Sequence, residues 1–337
     1  MRNLITDLSG LKIGSAHDEQ LASGVTVLVF DQPAIASVAI LGGAPGTRDT
    51  ALLEPDMTVE RVDAFVLSGG SAFGLAAAGG VMAGLAAQGR GFAVRDARVP
   101  SVPQAILFDL LNGGDKSSLY HTDLSPYHVL GVKALQSARQ DMVLGSVGAG
   151  YGATLPDLKG GLGSASQRLP NGSLIGALVA VNAIGQVTMG DTPHFWAAPY
   201  EEGAEFGGLG FPSTLTSALR TPKFKGMTGE NTTIAAVVTD APLSKAQCKR
   251  LALAAHDGLA RAIRPVHTPM DGDVVFSAST ASPGQSPVDA GALAFLCHAA
   301  SDVLARAIAR AVYEATALPF ANSPPAYRDH FQNRSIR

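Results

Sequence analysis

The stretch SAFGLAAAGGVMAGLAAQG (71–89) follows the apolar run AFVLSGG (64–70) without a break, and it carries almost no side-chain bulk. A helix made largely of Ala and Gly cannot bury enough surface by itself. It is stable only where its backbone lies close against a sheet, which is what glycine permits. That requirement points to layers of helix on sheet. The neighbouring runs agree. VTVLVF (25–30) and ASVAILGG (36–43) read as strands, and the DQPA turn between them predicts a hairpin. SLIGALVAVNAIGQVT (173–188) reads as two strands joined at Asn182–Gly185. TIAAVVT (233–239) predicts a strand, followed by a helix capped by Ser244 with Leu251, Ala254, Ala255, Leu259 and Ile263 on one face. GALAFLCHAASDVLARAIARAVYEA (291–315) is a long amphipathic helix, and PVHTPMDGDVVFSAST (265–280) is a loop entering a strand. This alternation predicts an α/β or α+β fold, read as a single domain over 1–337.

Two passages interrupt the order. Residues 189–230 are rich in Gly, Pro and Thr and lack periodicity, the mark of a functional or flexible segment. The tail PPAYRDHFQNRSIR is polar and reads as surface-bound or disordered.

Charge and cysteine usage exclude several classes. Net charge is −3, and the densest basic run, TPKFKG (221–226), is short and reads as a solvated loop, so no nucleic-acid partner is expected. The start MRNLITDLSGLKIG lacks the apolar core of a signal peptide, and no charge-free run of about 18 apolar residues predicts a membrane span. Cys248 and Cys297 fall in helical patterns and read as buried thiols. A cytoplasmic protein without membrane partners is the expectation.

The glycine-rich turns are weak as nucleotide loops. In LSGGSAFG, Gly69, Gly70 and Gly74 miss the GxGxxG spacing because position 71 is Ser71, and no GK[ST] follows. Close helix–sheet packing explains them, and backbone N–H groups at the helix start could also line a pocket and polarise a carbonyl. KGGLGSAS (159–166) reads as a second packing or mobile turn. His267 with Asp271 and Asp273 is too thin a set for a metal, so no metal and no cofactor are expected. His256 and His298 lie within helical patterns, outside any visible Ser/His/Asp arrangement, and GxSxG is absent.

What remains is Asn231-Thr232 at the mouth of the 233–239 strand. As a loop entering a strand it is ordinary. If the chain is cut before Thr232, the hydroxyl becomes a nucleophile and its own α-amine the base. An α-amine titrates at about 7.7–8, near working pH, whereas a lysine amine at about 10.4 stays protonated.

The whole chain decides between these readings. ITDLSGLKIGSAHD, SGVTVLVF, GGAPGTRDT, DAFVLSGGSAFGLAAAGGV, VGAGYGA, KGGLGSAS, ALVAVNAIG, NTTIAAVVTDA and HTPMDGDVVF together resemble the L-aminopeptidase/D-esterase family of self-processing hydrolases. That family includes β-peptidyl aminopeptidases and nylon-oligomer hydrolases, with ornithine acetyltransferases as distant relatives. The resemblance runs from about Gly14 to Leu318 and implies a layered α/β/β/α, N-terminal-nucleophile-like fold. It implies self-cleavage between Asn231 and Thr232 into an α chain (1–231) and a β chain (232–337), with Thr232 as nucleophile. Asn182 matches the family's oxyanion donor. Asp271 and Asp273 match its acidic pair, expected to orient Thr232 and hold its amine. Phe108, Gly69, Gly70 and Ser71 are expected at the substrate pocket. The substrates implied are short peptides, amino-acid amides or esters, or β- and ω-amino-acid oligomers with a free amine, whose ammonium could meet Asp109, Glu54 or Asp157. A homo-oligomer, a tetramer of αβ units, is implied as well. An acyltransferase and an uncleaved, non-enzymatic homologue are the alternatives.

Two positions depart from the family pattern. Phe108 in AILFDL stands where a Tyr hydroxyl is common. GAGYGATLPDLKGG carries no Lys directly after the GAG turn; Asp157 or Lys159 falls nearest. Losing both groups would slow self-cleavage or change substrate preference.

Overall fold

The computed structural model describes residues 1–120, 124–226, 231–321 and 323–332. Eleven strands are present among them: β1 (Leu11–Asp18), β2 (Ser23–Ile40), β3 (Gly46–Arg48), β4 (Arg61–Ser68), β5 (Phe92–Val94), β6 (Ala97–Val99), β7 (Gln104–Ile106), β8 (Gly161–Arg168), β9 (Leu174–Asn182), β10 (Thr232–Thr239) and β11 (Val274–Ser279). The α-helices are α1 (Ser71–Gly74), α2 (Ala77–Ala87), α3 (Pro126–Gln136), α4 (Ser217–Arg220), α5 (Lys245–Ala262) and α6 (Ala290–Tyr313). Nine strands form one sheet, eight along the path β3-β7-β4-β2-β11-β10-β9-β8 and β1 beside β2; β5 and β6 form a separate hairpin.

Three hydrophobic cores define the layers. One lies between β1, β2 and β4 and the helices α2 and α3, through Val25, Val27, Ala64 and Val66. A second lies between α5 and α6 and the strands β9–β11, through Val179, Ala235, Val237 and Val275. The third holds Leu28, Phe65 and Leu67 of β2 and β4 against Leu178, Ile234, Ala236 and Phe276 of β9–β11. There Phe65 stacks on Phe276 with ring centroids 4.7 Å apart. Helix, strands, strands and helix are therefore stacked in the expected order. The continuous apolar run of β10 follows from this, since Ile234, Ala236 and Val238 face one core and Ala235 and Val237 the next.

The small-residue helix does pack by backbone approach, but the closest approach is to α3 rather than to the sheet as expected. A Cβ at Gly80 would lie 2.1 Å from the His128 carbonyl oxygen of α3, and one at Gly131 would lie 2.2 Å from that of Ala77. It is two helices rather than one, α1 and α2.

Several expectations need correction. No hairpin forms at DQPA: β2 runs straight through it, with a bulge in its pairing to β4 between Val29 and Ala34. DQPA has no glycine or Asn-Gly step to supply the positive φ of a two-residue turn, whereas Pro33 tolerates an extended chain. KGGLGSAS is not a turn, because Gly161–Ser166 begin β8. A Cβ at Gly163 would meet the Ala307 carbonyl oxygen at 1.9 Å, so these glycines let α6 lie on the strand. The predicted second strand after Asn182 is absent; residues 183–188 make only isolated bridges, Gln186 to Arg264 and Thr188 to Phe195.

The tail is anchored. Tyr327 is fully buried, stacks on Phe195 and donates to the Pro193 carbonyl at 2.6 Å. Of the two expectations, surface-bound or disordered, the described part of the tail is bound, because tyrosine brings a large apolar ring into an otherwise polar stretch; residues 333–337 lie outside the described residues. Helix α6 is long and apolar enough to cross a bilayer by length and composition, but its apolar faces pack on β8, β9 and α5.

Candidate active site

Strand direction assembles the site. β9 and β10 are antiparallel, so the end of β9 lies beside the start of β10, and Thr232 pairs with Asn182. β10 and β11 are parallel, so the residues entering β11 arrive at the same edge, where Asn231 bridges to Asp271. Residues about 40 and 50 positions apart in sequence thus meet at one strand mouth.

At that mouth Thr232 Oγ1 donates to the carbonyl oxygen of Asn231, the residue before it. The same oxygen accepts the Gly272 N–H at 3.0 Å. One peptide carbonyl is therefore held by a fixed backbone donor and touched by a hydroxyl. Glycine is required at 272, since a Cβ there would stand 2.8 Å from Thr232 Oγ1 and 2.8 Å from the Ala44 carbonyl oxygen. Thr232 is buried, at 4% exposure, so water has little access to the bond.

The acidic pair builds the surrounding turn. Asp273 Oδ1 accepts the Thr233 N–H at 2.9 Å; its Oδ2 accepts the backbone N–H of His267 at 3.0 Å and is 2.8 Å from His267 Nδ1. Asp271 Oδ2 accepts the Thr268 hydroxyl at 2.9 Å and its N–H at 3.2 Å, while Oδ1 takes the Ile184 N–H at 3.4 Å. Both carboxylates hold the backbone around Thr232, and in the uncut chain neither is hydrogen-bonded to its hydroxyl. Burial first, and the neighbouring Asp273 second, push the Asp271 carboxyl up to about 6. His267, in left-handed backbone at φ +54°, packs edge-on to His256, whose burial pulls its own imidazole down to about 4.

Asn182 is held in place by its surroundings. Its Nδ2 donates to the Phe108 carbonyl at 2.9 Å, and its Oδ1 accepts the Thr154 N–H at 2.9 Å and the Lys225 ammonium at 2.9 Å. Phe108 thus contributes a carbonyl at the position where no side-chain hydroxyl exists. The basic run 221–226 is not simply solvated, because Lys225 turns inward onto Asn182. No sequence signal singled it out beyond its place a few residues before Asn231. Lys159 is buried beneath the GAGYGA loop, and its Nζ donates to the carbonyls of Ala153 (2.7 Å), Gly160 (2.8 Å) and Gly150 (3.0 Å). Burial brings this amine down to about 7.

The pocket candidates Gly69, Gly70 and Ser71 sit behind this cluster. Their N–H groups are already used, by Gly24 O, Asp109 Oδ1 and Leu107 O, so they do not polarise a carbonyl as expected. Of the three carboxylates considered for a substrate ammonium, Asp109 lies under Gly70 and follows Phe108, Asp157 bonds Gln186, and Glu54 pairs with Lys249 away from Thr232. Among the described residues no group of three or more His, Cys, Asp or Glu side chains is arranged to hold a metal.

The architecture recurs in a solved L-aminopeptidase D-Ala-esterase/amidase from Ochrobactrum anthropi, described as a variant of the Ntn hydrolase fold: TM-score 0.69 at 20% identity, over 99% of this chain and 93% of that one. The fold is thus that of the N-terminal-nucleophile hydrolases. The model of peptidase family S58 matches residues 3–323. A protein of Mycobacterium bovis described as an uncharacterized aminopeptidase is 42% identical over 98% of both chains. A 6-aminohexanoate-oligomer endohydrolase of Kocuria sp. is 28% identical over 81% of this chain and 74% of its own. The chain belongs to peptidase family S58 and is a peptide or amide hydrolase.

Proposed function

We propose that the chain matures by cutting itself between Asn231 and Thr232, and that the new N-terminal Thr232 then hydrolyses small amides and esters. The observation that carries this reading is the Asn231 carbonyl oxygen, touched by the Thr232 hydroxyl and held by the Gly272 N–H. In self-cleavage, Thr232 Oγ bonds to the Asn231 carbonyl carbon as the C–N bond breaks, and the hydroxyl proton passes to the freed nitrogen. Water then hydrolyses the ester, leaving an Asn231 carboxylate and a free Thr232 amine and hydroxyl. Gly272 N–H is positioned to stabilise the developing oxyanion.

In turnover, Thr232 Oγ attacks the substrate carbonyl while the α-amine takes its proton and returns it to the leaving amine. Asn182, opposite Thr232, supplies a side-chain amide to the tetrahedral oxyanion, and Asp273 and Asp271 keep the turn that frames it. Water releases the acyl group. The substrates of this reading are short peptides, amino-acid amides or esters, and β- or ω-amino-acid oligomers. They take support from the relatives named for aminopeptidase and oligomer-hydrolase activity. Association of the cut chains into a homo-oligomer belongs to the same reading, and the exposed Phe92, Val94 and Val99 of the β5–β6 hairpin suit it.

The test is intact mass of the purified protein, fresh and after ageing at pH 7–8, beside Thr232→Ala. Two chains, the smaller beginning Thr-Thr-Ile-Ala, and an uncut, inactive variant are expected. Turnover retained by Thr232→Ala would overturn the mechanism.

A further inference from the structure

The segment ahead of Asn231 does not merely pass the site. The Lys225 N–H donates to the Ile184 carbonyl at 2.9 Å, and the Lys223 N–H donates to Gln186 Oε1 at 3.3 Å. The Lys225 carbonyl in turn accepts Asn231 Nδ2 at 3.3 Å. Residues 223–225 therefore lie along 184–186, at the edge that β9 leaves when it ends at Asn182.

This backbone placement delivers one ammonium to one spot. Lys225 Nζ is 2.9 Å from Asn182 Oδ1 and 3.2 Å from the Thr154 carbonyl oxygen. Both acceptors are fixed, because the Thr154 N–H donates to the same Asn182 oxygen. Behind them lies a carboxylate. Asp109 is buried, with Oδ1 on the Gly70 N–H at 2.7 Å and Oδ2 on the Ser23 hydroxyl at 2.6 Å. The 152–154 backbone crosses directly over it: a Cβ at Gly152 would lie 2.4 Å from Asp109 Oδ2. Burial raises the Asp109 carboxyl, while the charges of Lys116 and Lys225 and the two hydrogen bonds oppose that rise. Two oxygen acceptors over a buried carboxylate suit a primary ammonium, and Asn182 places them directly across from Thr232.

We propose that this spot is the recognition site for the free ammonium group of the substrate, and that Lys225 is its internal occupant and competitor. The inference builds on the nucleophile reading above for its meaning in turnover, but ammonium binding can be measured without any turnover. In the uncut chain Lys225 is tethered six residues before Asn231, so its effective concentration at the site is about millimolar or higher. A cut after Asn231 releases one end of that tether, and a substrate ammonium can then take the place of Lys225. An N-acylated substrate brings no charge and gains nothing from the exchange.

The experiment uses the full chain locked uncut by Thr232→Ala and titrates it with n-butylammonium by calorimetry, with n-butanol as the neutral probe. Adding Lys225→Met should tighten n-butylammonium binding by about tenfold or more, as removal of a tethered competitor does. Lys225→Arg, which keeps a competing cation, should leave it near the parent value, and n-butanol should not discriminate. Equal n-butylammonium affinity with and without Lys225→Met would overturn the proposal, as would a Met variant that binds none. In the processed enzyme, Lys225→Met should lower KM for an amino-acid anilide with a free amine by several-fold more than it changes KM for the N-acetyl analogue. A chain that binds n-butylammonium as expected yet never cuts or turns over would sink the nucleophile reading and leave this site standing. A chain that cuts and turns over with no change on Lys225→Met would do the reverse.

Discussion

Thr232 and Asn182 face each other across the β10–β9 ladder, the first residue of one strand opposite the last residue of the other. Eight consecutive pairs, ending at Thr239 and Ile175, fix that register, and a slip of one residue would turn every β10 side chain into the opposite core. Both residues are therefore set by strands that are buried along their whole length rather than by loops. That rigidity suits the oxyanion role proposed for Asn182.

The amide can be tested by removing its donor, at the cost of the bond to the Phe108 carbonyl. Asn182→Asp keeps an acceptor for the Thr154 N–H and for Lys225 but removes the Nδ2 donor. Its turnover should fall by roughly 10²–10³, the cost of one lost oxyanion donor. The check is kcat of the processed variant, with melting temperature measured alongside to show that the ladder survives.

Gly272 allows a different test. Gly272→Ala places a methyl group 2.8 Å from Thr232 Oγ1 on one side and 2.8 Å from the Ala44 carbonyl oxygen on the other. The backbone has no room to yield, so the hydroxyl must leave the Asn231 carbonyl. A folded but uncut chain is expected, seen as a single mass after prolonged incubation. Cutting at the parent rate would show that the Gly272 contact is irrelevant to the bond.

The Asp271 carboxyl gives a pH signature. Its folded value lies up at about 6, against 3.8 for an unperturbed aspartate, because burial and Asp273 disfavour its charge. Between those values the folded state binds the proton and the unfolded state does not, so this group makes stability fall as pH rises through that window. Asp271→Asn should flatten this part of the stability curve. Urea melts at pH 4, 5, 6 and 7 measure it, and a variant whose curve keeps the parent slope would contradict the assignment.

Much of this arrangement was legible in the chain itself, and the exceptions have physical causes. The β10 run and the Ser244-capped α5 follow directly from apolar pattern and capping chemistry, and the capping box with Gln247 is present. Thr232, Asn182, Asp271 and Asp273 were singled out on resemblance, and strand direction brings them to one edge. The continuity of β2 through Asp31–Ala34 was hidden because Pro33 and polar neighbours signal a turn equally well. Gly161–Ser166 looked like a turn because the glycines serve the approach of α6, not a bend. Lys225 was invisible for a deeper reason. Its role depends on where an irregular segment returns in space, and no periodicity encodes that. Tyr327 was lost in a polar tail for the same reason, since its partners Phe195 and Pro193 lie over 130 positions away.

If the chain is cut after Asn231 as proposed, a buried ion cluster would set how firmly the two pieces stay together. Arg306 of α6 is 1% exposed; its Nε donates to Glu205 Oε1 at 2.6 Å and its Nη2 to Asn3 Oδ1 at 2.9 Å, with Glu202 3.1 Å from Nη1. Arg306 lies after residue 231, whereas Asn3, Glu202 and Glu205 lie before it, so every one of these bonds would join the two fragments. Arg306→Met keeps the bulk of the stem but leaves the Glu205 carboxylate buried with Arg310, 3.7 Å away, as its remaining cation among the described residues, beside the Asn3 amide and the Glu202 N–H. Removing one partner of such a pair costs about 3–5 kcal/mol. Removing both charges, in Arg306→Met with Glu205→Gln, should recover a large part of that loss, because the pair is coupled. Denaturant melts of the four proteins give the coupling directly. If the double variant is as unstable as the sum of the singles, the cluster contributes packing alone and the electrostatic account of fragment retention is wrong.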